Sequence, residues 1–508
     1  MRKFSSYGPV NKDLHYYVPR QALIDRACTQ LVGENPNAPG HYITVWAPPQ
    51  RGKTWVMQEV ARRLQNNPRF DAVMLNVAHL RTETDAQKVM TFIARELAAQ
   101  PGKEIAWFET TFTSTVLDKP LILILDEFDT LTAKVIEALT GVFRNIYISR
   151  QVESRDLLLH GLALVGVTPL LAVDTKVPYN IQRSFRIPDL TLEEVREMFA
   201  WYVRESGQAI EQAVIERLFR ETRGHAGLTS WLGQLFTETY NEHKDRPITM
   251  AHFERAYTLA HESPNERIAQ LVRKACTAPY KDTVLGAFSS GPHVPFHYHD
   301  SVSHFLHTRG ILDATPAKFA CPFIQRRLFS HFTGDLFGQM GRVHEPSADL
   351  SDTITQSSLN VENLLRRYET YLRENRDWLL KDTPRRADLR PYEVVYHFNL
   401  YRYLASFLQG HGGRVWPEFP TGNGKVDLII RYAGKMYGVE VKSFSTQYEY
   451  REALRQAARY GERLELEEIT LAFFVEYVDE TNRARYEVAY EDEETGVTVR
   501  PVFVETGR

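Results

Sequence analysis

Apolar and polar residues alternate on both sides of Tyr432-Ala433-Gly434-Lys435, the pattern of two antiparallel strands joined by a tight turn. A hairpin centred there sets Leu428 opposite Val439, Ile430 opposite Tyr437 and Val426 opposite Val441, making one apolar face. The same register sets Asp427 opposite Glu440 on the other face, with Lys442 two residues on. In the first third of the chain the runs are largely apolar, over Tyr42–Trp46, Ala72–Val77, Pro120–Leu125 and Leu162–Thr168, with five apolar residues in a row at Leu121–Leu125. Such runs fit strands buried on both sides. Helical patterns over Trp55–Leu64 and Ala86–Ala99 separate them, so a doubly wound α/β sheet is expected. A helical region then extends to about residue 262.

Short helices are predicted over Glu266–Cys276, Lys281–Phe288 and Ser301–Arg309, the last with Val302, Phe305 and Leu306 as its apolar stripe. Ile311–Asp313 and Lys318–Phe323 suggest a small β-wing. Residues 340–360 have the Ser/Thr/Asp composition of a linker. Val361–Leu380 is a helix, and Glu491–Glu494 an acidic hairpin turn before a final strand.

Composition narrows the classes. The 508 residues suggest several domains, and 43% hydrophobic with 25% charged residues is a globular balance. No apolar run reaches membrane-spanning length, and the first residues lack a leader's apolar stretch, so no membrane association and a cytoplasmic location are expected. Cys28, Cys276 and Cys321 are too scattered for a disulfide framework. A net charge of −3 supplies no overall basic field, so any nucleic-acid contact must be local. Arg366, Arg367, Arg385 and Arg386 are candidates, against a simpler reading as solvated arginines. His293, His297, His299, His304 and His307 form a His-rich loop in which no Cys or carboxylate completes a metal shell.

Two groups of residues carry chemistry. The run Ala47-Pro-Pro-Gln-Arg-Gly52-Lys53-Thr54 comes after a strand and opens a helix, the setting of a phosphate-binding loop, with Ala47 where the motif has Gly. There Lys53 would reach the β- and γ-phosphates of ATP, and Thr54 would ligate Mg²⁺. Asp126 and Glu127 end an apolar strand in the Walker B manner; Asp126 would hold the Mg²⁺ shell and Glu127 polarise the attacking water. Thr168 either reads the γ-phosphate or caps a turn before Pro169. Arg144 and Arg150 are candidate arginine fingers, against a simpler reading as solvated side chains. The second group is the hairpin. Two carboxylates roughly 5 Å apart repel unless a cation lies between them, and hard oxygen ligands suit Mg²⁺ or Mn²⁺. Lys442 would assist the attacking water there.

The phosphate loop, the Walker B pair, Asn180-Ile181, the run Ile187–Glu194 and Gly224-His-Ala-Gly227 together resemble bacterial AAA-like ATPases related to the archaeal and STAND groups, over about residues 15–260. His225 is there a lid sensor or a helix cap. The Asp427/Glu440/Lys442 hairpin resembles the core of the PD-(D/E)XK nucleases, over about residues 355–490. Gln456 and Tyr460 on the next helix match the RecB-like branch. Glu393, on the helix of Tyr392–Ala405, matches the acid that the family's first helix supplies. Val426 departs from the family's Pro. The resemblances imply an ATPase core over 1–190, a helical lid over 191–262, a winged-helix-like domain over 263–340, a linker over 341–360 and a nuclease-like domain over 361–508. They imply a nuclease controlled by ATP, acting on DNA ahead of RNA, with a role in prokaryotic defence. The alternatives are a STAND-like switch that forms homo-oligomers, or a DNA-binding module with a weak or inactive nuclease domain.

Overall fold

The computed structural model describes residues 1–5, 8, 10–34, 39–97, 105–151, 157–168, 182–263, 265–289, 300–314, 317–338, 343–345, 347–385, 391, 393–418, 427–443 and 447–507. By its internal contacts the chain divides into two units. One is Met1–Ser263 with His307–Gly310, the other Pro264–Leu306 with Ile311–Arg508.

The first unit is built on a parallel sheet of β1 (Tyr42–Trp46), β2 (Asp71–Asn76), β3 (Leu121–Asp126), β4 (Leu159–Gly166) and β5 (Gln182–Arg186), in the order β2-β3-β4-β1-β5. All six residues of β3 are buried. The two-residue period of a strand divides them between two cores. Leu121, Leu123 and Leu125 pack with residues of helices Ala86–Glu96 and Ala133–Gln151. Ile122 and Ile124 pack with residues of helices Gln21–Val32 and Lys53–Gln65. A strand covered on both sides has no polar face, hence the unbroken apolar run. Helices Leu192–Ser206, Gln212–Thr222, Ala226–Gln234 and Met250–Glu262 come after the sheet. The first opens in a capping box between Thr191 and Glu194, which gives the Leu-Thr-Leu-Glu-Glu run its local purpose.

The second unit begins with helices Glu266–Ala275 and Lys281–Ser289, helix Ser301–Thr308 as far as Leu306, and an antiparallel pair, β6 (Leu312–Ala314) and β7 (Ala317–Phe319). The second strand ends earlier than expected because Pro322 opens a helix, Pro322–Phe337, that the sequence pattern did not reveal. Phe329 and Phe332 of that helix lie 4.8 Å and 5.6 Å, ring to ring, from Phe398 on helix Glu393–Gln409. The middle helices therefore share a core with the helix that precedes the larger sheet. That sheet is mixed. Its strands are β8 (Arg414–Glu418), β9 (Asp427–Tyr432), β10 (Lys435–Ser443), β11 (Glu468–Val475), β12 (Tyr490–Glu491) and β13 (Thr498–Glu505), in the order β12-β13-β11-β10-β9-β8. β10 and β11 are parallel, joined through helix Gln447–Arg463.

The segment expected as a linker is anchored where it is described. Ile354 and Leu359 form a β-bridge, Tyr432 donates its hydroxyl to Thr355 O at 2.5 Å, and Leu359 N donates to Tyr437 Oη at 3.1 Å. Its Ser and Thr residues serve a local turn, in which Thr355 and Ser358 hydroxyls meet at 2.8 Å. Among the described residues no helix is long and apolar enough to cross a membrane.

Candidate functional site

The hairpin of the second unit has the register expected from its pattern: Glu440 faces Asp427, Val439 faces Leu428 and Tyr437 faces Ile430. Ala433 and Gly434 both have positive φ, 49° and 77°, the turn geometry whose twist suits two strands. Val426 lies outside the described residues. The acidic face is not open to solvent, as simple alternation would suggest: Asp427 and Glu440 are each 2% exposed. β11 explains this. Leu471 and Phe473 pair with Glu440 and Lys442, and both pack against Ala453, Leu454 and Ala457 of helix Gln447–Arg463. The helix therefore roofs the face that carries the acids.

That roof supplies partners. Lys442 Nζ lies 3.0 Å from Glu440 Oε1 and donates to Gln456 Oε1 at 2.9 Å. Tyr460, one turn beyond Gln456, donates its hydroxyl to Glu418 Oε2 at 3.3 Å. Burial, then the charges of Asp427 and Glu418, pushes the Tyr460 hydroxyl far above its ordinary pKa. Glu418 was not foreseen. It pairs with Asp427 across β8 and β9, so Glu418, Asp427 and Glu440 form one row over three strands. Glu440 Oε2 is buried without a hydrogen bond. Glu393 opens its helix, and its side chain lies outside what is described. His397, one turn on, is held neutral, its pKa lowered to about 3 by burial and then by Lys442. Among the described residues no three His, Cys, Asp or Glu side chains stand ready as a metal shell.

The candidate arginines that are described hold partners within the second unit. Arg366 donates to Phe503 O at 2.8 Å and pairs with Glu487, while Arg367 donates to Thr353 Oγ1 and Asp349 O, both at 2.6 Å. Arg385 donates to Leu380 O at 3.2 Å, and Arg386 lies outside the described residues. Of the histidine group only His304 and His307 are described, both on helix Ser301–Thr308.

In the first unit, β4 separates β1 from β3, and the loop after β1, the acids ending β3 and Thr168 after β4 meet at the carboxyl ends of neighbouring strands. Gly52 has φ 86° and Lys53 starts the helix. Lys53 Nζ folds back on its own loop, donating to Ala47 O at 2.8 Å and Pro48 O at 3.2 Å. Burial lowers its pKa, against the charges of Glu127, Asp129 and Asp126. Thr54 Oγ1 donates to Asp126 Oδ2 at 2.9 Å, and burial raises the Asp126 pKa against that bond. A hydroxyl and a carboxylate in contact form a hard-oxygen pair that fits Mg²⁺. Glu127 sits at φ 60°, a left-handed conformation uncommon for Glu. Burial first, then Asp126, raises its pKa. Thr168 N donates to Asp129 Oδ2 at 3.1 Å. Arg150 donates to Leu159 O, while Arg144 is half-buried.

Residues 39–168 match the family model described as AAA domain. This segment is an AAA-type P-loop domain. No curated protein matches the chain. Among solved structures, the chain is similar to the Aeropyrum pernix Orc1 protein in complex with DNA, at 16% identity over 77% of this chain and 95% of that one, with a TM-score of 0.38. It is also similar to a Walker-type ATPase of Pyrococcus abyssi, at 14% identity over 64% and 99%, with a TM-score of 0.42. A third is the Thermotoga maritima RuvB Holliday junction branch migration motor, at 14% identity over 58% and 89%, with a TM-score of 0.37.

The helices after the AAA domain touch its phosphate loop. Gly227 N donates to Gln50 O at 3.0 Å, and Arg51 pairs with Asp189. His225 is the N-cap of helix Ala226–Gln234, its Nδ1 accepting from Leu228 N at 3.3 Å; burial and the Arg51 charge hold it neutral. Gly224 has φ +74°, its carbonyl accepts from Leu190 N at 2.9 Å, and a Cβ there would fall 1.9 Å from Leu190 O. Gly224→Ala is therefore expected to cost about 3 kcal/mol or more of stability, read as a lower denaturation midpoint in urea.

Proposed function

We propose that the chain is an ATP-hydrolysing AAA protein whose second unit is a divalent-cation-dependent nuclease acting on DNA. The observation that carries the nuclease reading is the buried pairing of Asp427 with Glu440, with the ammonium of Lys442 beside Glu440. Two carboxylates buried side by side disfavour each other's charge, and a divalent cation is a natural complement. Mg²⁺ commonly takes one or two protein carboxylates and fills its remaining positions with water and phosphate oxygens, so the pair suffices without a third protein ligand in place. A cation bound there would offset charge on the phosphodiester and make a water more acidic. Asp427 and Glu440 would hold it, with Glu393 as a further candidate. Lys442, which donates to Gln456, would orient the attacking water. Tyr460 keeps Glu418 in line beside Asp427.

In the AAA domain, Lys53 would leave the carbonyls of Ala47 and Pro48 for the phosphates of ATP. Thr54 and Asp126 would hold Mg²⁺, and Glu127 would polarise the water that attacks the γ-phosphate. Titration of the nucleotide-free protein with MnCl₂ tests the cation site: bound Mn²⁺ is expected in the wild type and lost in Glu440→Gln. Equal binding by both would overturn the assignment.

A further inference from the structure

Asp129 lies just past the Walker B acids, in the turn Phe128–Thr130. Its Oδ2 accepts two backbone donors from the end of β4, Val167 N at 2.8 Å and Thr168 N at 3.1 Å. The neighbouring residue is shaped to admit it. A Cβ on Gly166 would lie 2.5 Å from Asp129 Oδ1 and 2.6 Å from its Cγ, so β4 ends in glycine for lack of room. Gly166 has no positive φ that would require glycine on conformational grounds. Asp129 Oδ1 is buried and makes no hydrogen bond. The carboxylate also stands among the charges that act on Lys53 and on Glu127.

We propose that Asp129 is a positioning residue for ATP hydrolysis: it fastens the end of β4, and Thr168 with it, to the acidic turn that carries Glu127. A group that ties two catalytic segments together contributes where their mutual placement matters, in the transition state, and little to ground-state nucleotide binding. The turn also holds Glu127 in its left-handed conformation, with Thr130 N donating to Glu127 O at 3.1 Å. Loosening the far end of the turn would release Glu127 and Thr168 together. This inference rests on the AAA domain being an active ATPase.

The test compares wild type, Asp129→Asn and Asp129→Ala by ATP affinity in calorimetry and by steady-state hydrolysis. Asp129→Ala is expected to lower kcat by about 10-fold or more while the Kd for ATP stays within about 3-fold. Asp129→Asn keeps an oxygen that can accept both backbone donors, so it should recover part of the rate. The Asn variant carries the test if the Ala variant fails to fold. A wild-type rate in the variants, or a loss of ATP binding in step with the loss of rate, would overturn the proposal alone. A wild type that binds ATP and never hydrolyses it would overturn the hydrolysis reading, and this inference with it.

Discussion

Lys442→Ala is expected to reduce divalent-cation-dependent DNA cleavage by about 10³-fold or more while leaving Mn²⁺ binding intact. Lys442 bonds to both Glu440 and Gln456, so its ammonium is held at a set point beside the acids. Removing it takes away the group that would orient the water and stabilise the phosphorane-like charge, without removing a carboxylate. Affinity for Mn²⁺ should hold or rise, because the positive charge that competes with the cation is gone. That separation of cleavage from cation binding is what a purely structural lysine would not produce. Gln456→Ala, which frees the ammonium without deleting it, should cost less, about 10-fold. Unchanged cleavage by Lys442→Ala would remove Lys442 from the chemistry.

Lys53→Ala is expected to weaken ATP binding by about 100-fold or more, without loss of fold. The side chain is 8% exposed and its charge is disfavoured by burial, so the folded apo domain gains little from it. Its two present partners are carbonyls of its own loop, which water or a relaxed loop can satisfy. The ammonium would then serve the phosphates rather than stability. Calorimetric titration with ATP and a urea denaturation curve together check both halves. Undiminished ATP binding would refute the role of the loop, and unfolding of the variant would show that Lys53 is structural.

Sequence pattern revealed those elements whose geometry is local. The hairpin register was legible because a two-residue turn fixes which residues face each other, and the same arithmetic placed Asp427 opposite Glu440. Strands β1 to β4 were legible as largely apolar runs because helices cover both faces of the sheet, whereas β5, Gln-Arg-Ser-Phe-Arg, shows no such run. Glu418 was hidden for the complementary reason. Its strand contains Pro417 and is separated from β9 by eight residues, too many for the register to be counted across a tight turn, so nothing in the sequence fixes its pairing with Asp427. Burial of the acids was equally out of reach, since it depends on a crossover helix returning over the sheet. Arg366 and Arg367 looked like surface charge because the carbonyls they hold lie far off in sequence or inside an assumed linker. Asp129 was passed over because a third acid after two Walker B acids looks like ordinary solvation until β4 is seen ending against it.

Cleavage by the wild-type chain tests the central claim most directly. Purified protein incubated with linear double-stranded DNA and MgCl₂, with and without ATP, is expected to release shorter fragments, and EDTA to stop the reaction. Intact DNA at every ATP and Mg²⁺ or Mn²⁺ concentration, across linear, circular and single-stranded substrates, would contradict it.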